Sequence, residues 1–287
     1  MKNNKTLPQV MLTMALLGSV AEVCAASTAD DFSLQAGAES FRWREFDAGE
    51  RLLEEKGARL RLGVGWNNFQ RSAGGFVYGV DAALHLGRVT YDGQACQVSD
   101  PTQCVLSASD TTYTGAEVAA LAGVRFVHGV EIVGGLGLDT WGRDIHSTVD
   151  ASGSQVGSAR EDYFILNSKI GAGFIQRGSG ISTHFQAGVK YPFYAYEYAY
   201  QNSFDDVTLS PKGRASGFVT MRLDFAPRSR NHVGLIFYYD SYRFAPSDTK
   251  LLTINGAVVV SGGNAFYVFQ PESRQDVYGI QLAVAFR

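Results

Sequence analysis

The chain has 287 residues, of which 45% are hydrophobic and 18% charged, with a formal net charge of -3 and a mean hydropathy of -0.06. That balance excludes a polytopic helical membrane protein, which needs several apolar runs of ~20 residues, and a disordered chain, which lacks apolar content. The 32 Gly, 18 Phe and 14 Tyr against 7 Pro favour many short strands over helices.

Lys2 and Lys5 precede the apolar run Val10–Val20, and Val23 and Ala25 occupy small-residue positions before a polar stretch. This pattern predicts a secretory signal peptide over residues 1–25, too short to span a bilayer, cleaved after Ala25. Cys24 leaves a lipoprotein alternative, which the bulk of Val23 immediately before it disfavours. Residues 26–287 then form one domain without the basic patch that nucleic acid would require. Cys96 and Cys104 remain, in a polar stretch of an exported chain, and predict a loop disulfide. A zinc site is the weaker reading, since no His or Cys stands beside the pair, and neither metal nor cofactor is expected.

From residue 26 onward a period of two recurs. Leu60, Leu62, Val64 and Trp66 alternate with Arg59, Arg61, Gly63 and Gly65; Ile181 to Phe193 alternate with Ser182, His184, Gln186, Gly188 and Lys190; Tyr278 to Phe286 alternate with Gly279, Gln281, Ala283 and Ala285. Ten segments follow this rule, at about 32–44, 58–69, 76–88, 114–127, 130–142, 162–176, 181–194, 214–226, 232–244 and 276–286. In the first, Phe41 and Trp43 break the parity of Phe32, Leu34, Ala36 and Ala38, which predicts a bulge near Ser40. The connections alternate between short (70–75, 128–129, 177–180, 227–231) and long, the longest at about 245–275. The pattern predicts an all-β, transmembrane, up-and-down antiparallel β-barrel of ten strands with short periplasmic turns and long extracellular loops.

Three features assign the apolar face to lipid. Gly crowds the polar face, as suits a packed lumen. Aromatics gather near the ends of the apolar face: Phe76, Phe126, Phe174, Phe225 and Phe286 by the short turns, and Tyr191, Phe193, Phe237 and Tyr239 toward the long loops, as two membrane interfaces require. Each segment supplies the ~9–11 residues of a tilted crossing. With its signal peptide and aromatic last strand, the chain resembles the outer-membrane β-barrel proteins of Gram-negative bacteria. That resemblance implies partners in outer-membrane lipid and in the barrel-assembly machinery, which reads a terminal Phe; here Arg287 follows Phe286.

The polar face carries Arg59, Arg61, Arg125, Lys169, Lys190, Arg214 and Arg222 against Asp81, Glu117, Glu131, Asp139, Asp224 and Asp240. In a lumen this narrow such charges pair into a plug, because wide channels need ~16–18 strands; a narrow solute path is the alternative. The omptin surface proteases are similar in size and strand number and use Asp pairs with an Asp-His dyad. Asp144 and His146 in the third long loop, with Asp205-Asp206 in the fourth, are the corresponding ingredients here, without the family's local motif. Ser182, His184 and His85 point inward and read as hydrogen-bonded lumen residues rather than a catalytic pair. Tyr194, Tyr196, Tyr198 and Tyr200 extend the seventh strand, and the fifth loop predicts an extra hairpin turning at Asn255-Gly256. That loop is the candidate for contact with an unidentified extracellular ligand, or for a lid. The leading reading is a non-enzymatic outer-membrane protein acting in envelope structure or surface interaction.

Overall fold

A computed structural model describes residues 30–70, 74–97, 100–149, 155–156, 158–201, 204–261 and 263–287. The predicted signal peptide, 1–25, lies outside the described residues. Ten long strands close into an antiparallel barrel: β1 Asp31–Asp47, β2 Glu50–Asn67, β3 Gly75–Gln97, β4 Asp100–Arg125, β5 Val130–Ile145, β6 Ala159–Arg177, β7 Ile181–Tyr200, β8 Ser216–Phe225, β9 Asn231–Ala245 and β10 Glu272–Phe286. Each pairs with its chain neighbour, and β1 pairs with β10 from Phe32 opposite Phe286 to Phe46 opposite Glu272, which closes the ring. Ring closure leaves no sheet edge exposed, the condition for a sheet to sit in lipid.

The strands outrun the membrane. β3 and β4 have 23 and 26 residues, about twice the ~9–11 that a crossing needs. The stretches around 45–57 and 89–113, expected as long loops, are therefore mostly strand: β1 and β2 meet in a tight turn where Ala48 and Gly49 take φ of 47° and 88°. Positive φ at both central residues fits the right-handed twist of a hairpin. The fifth loop contains the expected extra hairpin, Thr253–Ile254 paired with Ala257–Val258 around Asn255 and Gly256, at φ of 50° and 78°. A second small hairpin, Val260–Ser261 with Asn264–Ala265, follows it.

No bulge occurs near Ser40. The β1 register with both neighbours runs unbroken from Phe32 to Glu45, and the irregularity lies between Glu45 and Phe46. Phe41 and Trp43 are each 1% exposed and face inward, while Arg42 and Arg44 face outward. The parity holds and the polarity of the faces swaps. Toward the short turns the outer face carries Leu34, Leu60, Leu62, Ile132, Ile170, Val189, Ile280 and Leu282, all exposed. Toward the long connections the inner face carries a core of Phe41, Trp43, Tyr91, Tyr113, Trp141, Tyr163, Tyr242 and Phe244. Lipid bathes the first zone and water the second, so the side of the sheet that must be apolar changes with height. Arg214, expected inside, lies outside for this reason: it stands opposite Arg243, beyond the apolar band.

Ring contacts tie the inner core together. Trp43 meets Tyr163 at 5.6 Å, Trp141 stacks on Tyr163 at 5.2 Å and Tyr242 stacks on Phe244 at 5.7 Å. Replacing Trp43 by Ala removes a fully buried indole, so chemical denaturation in lipid vesicles is expected to show a loss of about 3–5 kcal/mol; a loss below about 1 kcal/mol contradicts a packed core at this height.

Candidate functional site

The lumen and its two mouths gather most of the residues with chemical potential. In the middle zone, Glu39 accepts from Arg59 Nε and Nη2 at 3.0 and 2.7 Å and from His85 Nδ1 at 3.2 Å. Glu117 contacts Arg61 and His85 Nε2, the latter at 3.3 Å. Two pairs of like charge stand directly opposite in the register, Glu117 with Asp139 and Lys169 with Lys190. Such pairs repel, and each is neutralised from strands beyond the immediate neighbour. Asp240 takes Lys169 at 3.0 Å and also Lys190, whose ammonium lies 3.7 Å from Asp139. Tyr242 donates to Asp139, and Gln35 donates to Asp81 at 3.0 Å.

The periplasm-side mouth is filled from three directions. Arg125 contacts Glu131 at 2.6 Å, and Glu131 also receives His184 Nε2 at 2.9 Å. Arg222 pairs with Asp224 at 2.8 Å. The first short turn folds inward: the Phe69 ring packs 4.6 Å from His184, and Gln70 donates to Asp224 at 2.9 Å while accepting from Ser182 at 3.1 Å. Ser182 and His184 thus have separate partners and form no nucleophile–base pair. Arg287 contacts Asp31 at 2.5 Å, and its backbone N–H donates to Arg230 at 3.0 Å. The residue after the terminal Phe therefore clasps the seam where β10 meets β1. Between the mouths a hollow of ≈ 930 Å³ of atom-free space, solvent included, is lined by Arg61, Asp81, Glu117, Lys169, His184 and Arg222 among others.

The opposite mouth is held by a residue that the alternation did not single out. Arg143, 1% exposed, reaches Glu45 at 2.9 Å, Glu161 at 2.7 Å and Glu55 at 3.1 Å. Trp43 donates to Glu45, Tyr113 and Thr111 to Glu55, and Tyr163 to Glu161. Gln270, on the return limb of the fifth loop, donates to Glu45 at 3.1 Å. Arg143 sits two residues from Trp141 in a segment that reads as loop stem, and only its inward parity hints at its role.

The rim residues weighed for hydrolysis do not meet. Asp144 is exposed on the outer side of β5, opposite Arg160, and His146 Nε2 pairs with the Thr112 hydroxyl at 3.0 Å. Thr112 stands opposite Asp144, yet His146 makes no hydrogen bond or ion pair with Asp144, so the expected dyad is not formed among the described residues. Asp206 accepts from Tyr198 at 3.0 Å and from the Gln201 N–H at 3.2 Å. Asp205 accepts from the Thr253 hydroxyl at 2.7 Å and from the backbone N–H groups of Gly256 and Asn255 at 2.8 and 3.0 Å. It hooks the fourth loop onto the fifth-loop hairpin. No group of three or more potential metal ligands occurs among the described residues.

The other site expectations fall as follows. Phe76, Phe126, Phe174, Phe225 and Phe286 are exposed near the short turns, and Tyr191 and Phe193 are exposed near the far edge of the apolar band. A bulge between Leu166 and Asn167 accommodates Phe193, so Phe193 and Tyr194 both reach the outside. The rings of Tyr239 and Tyr278 pack 4.9 Å apart, with Phe237 two residues below on the same face of β9. Cys96 stands opposite Cys104 in the β3–β4 register. The expected disulfide gains no support, because these two side chains lie outside the described residues.

No family model matches the chain, and no curated protein matches it. Among solved structures it is similar to the outer membrane protease OmpT from Escherichia coli, at TM-score 0.54 and 10% identity over 92% of this chain and 99% of that one. The translocator domain of autotransporter NalP from Neisseria meningitidis aligns at TM-score 0.46 and 10% identity over 97% and 95%. At these identities the likeness concerns the fold.

Hydrogen bonds from Thr253, Gly256 and Asn255, in that order, hold the Asp205 carboxyl below its usual range. A lowered pKa in the folded loop means the hook is fully present above the free value of ~3.9 and is lost as pH falls through the depressed value. Hydrogen exchange is expected to show protection of the Asn255 and Gly256 amides at neutral pH, lost in Asp205→Ala and in acid; unchanged protection in that variant contradicts the hook. The chain has the fold of an outer-membrane β-barrel protein.

Proposed function

We propose that the protein is an integral outer-membrane barrel whose lumen is closed, and that it acts in envelope structure or surface interaction through its extracellular loops. The observation that carries this reading is the pairing in the lumen. The inward-facing Arg59, Arg61, Arg125, Lys169, Lys190 and Arg222 each contact a carboxylate, and Arg143 closes the far mouth against three more. Opening such a lumen strands buried charges, which costs several kcal/mol each.

The loops support the surface role. The fifth loop presents Leu251, Ile254, Val258, Val260 and Tyr267, all at least 42% exposed, and the Asp205 hook gives that surface a fixed position. Apolar side chains fixed in an extracellular loop suit contact with a macromolecule better than contact with water. Omptin-like hydrolysis, which the similarity in fold to a surface protease brings into view, would need a base and an acid other than Asp144 and His146, which do not pair with each other.

Planar-bilayer recording of the purified protein is expected to show no stable conductance steps, whereas stable open steps contradict the closed lumen and favour a narrow channel. Replacing Arg143 by Met leaves Glu45, Glu55 and Glu161 without their common cation and is expected to cost about 3–5 kcal/mol in denaturation; full stability in that variant contradicts a charge-locked mouth.

A further inference from the structure

Outward-facing residues change from apolar to charged at one height on adjacent strands. On β10, Ile280 and Tyr278 give way to Asp276, Arg274 and Glu272; on β1, Ala38 and Ser40 give way to Arg42 and Arg44. The register then builds a row. Arg44 stands opposite Arg274, Arg274 opposite Arg243, and Arg243 opposite Arg214. One level nearer the apolar band, Arg42 stands opposite Lys56. Like charges directly opposed across strands destabilise a sheet, so this row has a cost that the fold alone does not require.

The carboxylates in this patch are too few to cancel it. Arg42 and Lys56 share Glu54, at 2.7 and 3.2 Å. Arg44 and Arg243 share Asp276, at 2.7 and 2.6 Å. Arg214 and Arg274 share Glu272, at 3.0 and 2.7 Å. Glu54 also takes Arg51, at 2.8 Å, so each carboxylate serves two or more cations and positive charge is left in excess. Beyond this sector the pairing differs: Arg88 of the adjacent β3 pairs with Asp110 and, on the opposite wall, Arg160 of β6 pairs with Asp162, one to one. The surplus is confined to the sector of β2, β1, β10 and β9 with the Arg214 segment.

Position says what the surplus meets. Tyr239 and Tyr278, packed ring to ring, lie just below the row, where aromatic side chains mark the edge of the hydrocarbon. Arg274 is four residues beyond Tyr278, which at ~3.4 Å per residue and a tilt of ~40° puts the row about 10 Å above the tyrosines, the depth of lipid headgroups. Guanidinium groups bind phosphate through paired N–H donors.

We propose that the Arg44–Arg274–Arg243–Arg214 row, with Arg42 and Lys56, holds the phosphate of a phosphorylated lipid in the outer leaflet. The phosphate lies against the arginines, and the acyl chains run down the apolar wall of β10 and β9. This inference rests on the membrane placement of the barrel and is independent of whether the lumen is closed.

Native mass spectrometry of the full chain in detergent micelles, with bisphosphorylated lipid A or its dephosphorylated form as probe, tests it. The wild type is expected to retain the phosphorylated lipid preferentially. Arg243→Gln with Arg274→Gln is expected to weaken that retention about tenfold, while Arg160→Gln on the opposite wall leaves it unchanged. Heat-modifiable migration confirms that each variant folds, and the comparison of the two lipids on the wild type needs no variant. Equal retention of both lipids by the wild type, undiminished retention by Arg243→Gln/Arg274→Gln, or an equal loss in the opposite-wall variant overturns the proposal.

Discussion

Each strand passes from lipid into water along its own length, and this change of solvent dictates which face of the sheet must be apolar. In hydrocarbon the outer face has no water to satisfy polar groups, so Leu34, Leu62 and Ile280 point out and Gln35, Arg61 and Gln281 point in. Above the hydrocarbon the same pleat continues, but water now bathes the outside. There the hydrophobic effect favours an interior core, so Phe41 and Trp43 point in and Arg42 and Arg44 point out. The barrel is a membrane protein and a soluble β-barrel joined end to end on continuous strands.

The lower lumen follows from that arrangement. Once the outer face is committed to lipid, the polar residues of ten strands converge on a narrow interior, where an isolated charge is costly. Pairing becomes obligatory, and it reaches past the nearest strand as well as between neighbours: Lys169 of β6 and Lys190 of β7 repel along the sheet and both meet Asp240 of β9. The inward fold of Phe69 and Gln70 onto His184, Asp224 and Ser182 completes the same task at the lower mouth. At the upper mouth Arg143 does so against Glu45, Glu55 and Glu161.

Strand number, the closed antiparallel topology and the short turns were legible in the sequence because period-two alternation and connection length are local signals. So was the Asn255-Gly256 hairpin, whose two residues tolerate positive φ. Strand length was not legible: residues 45–57 and 89–113 are rich in polar residues, which reads as loop when polarity is scored against a lipid-facing pattern. The same rule turned the inward Phe41 and Trp43 into a bulge and placed Arg214 inside. Among the site residues, inward charges such as Arg61 and Lys190 were legible from parity. Their partners were not, because Glu117 reaches Arg61, and Asp240 reaches Lys190, from strands that are not their immediate neighbours. The pairing of Asp144 with His146 is not formed although the two positions share a parity: His146 Nε2 is taken by the hydroxyl of Thr112, which stands opposite Asp144 on the neighbouring strand, a contact that spacing in sequence does not show.

Accessibility of spin labels along β1 tests the change of solvent most directly. With Cys96 and Cys104 replaced by Ser, single labels placed at outward positions 34, 36, 38, 42 and 44 are compared for collisions with oxygen, which concentrates in hydrocarbon, and with a water-soluble nickel chelate. The account predicts that oxygen dominates at 34, 36 and 38 and that nickel dominates at 42 and 44, with the crossover beside Ser40. Oxygen-dominated labels at 42 and 44, or nickel-dominated labels at 34 and 36, would contradict it.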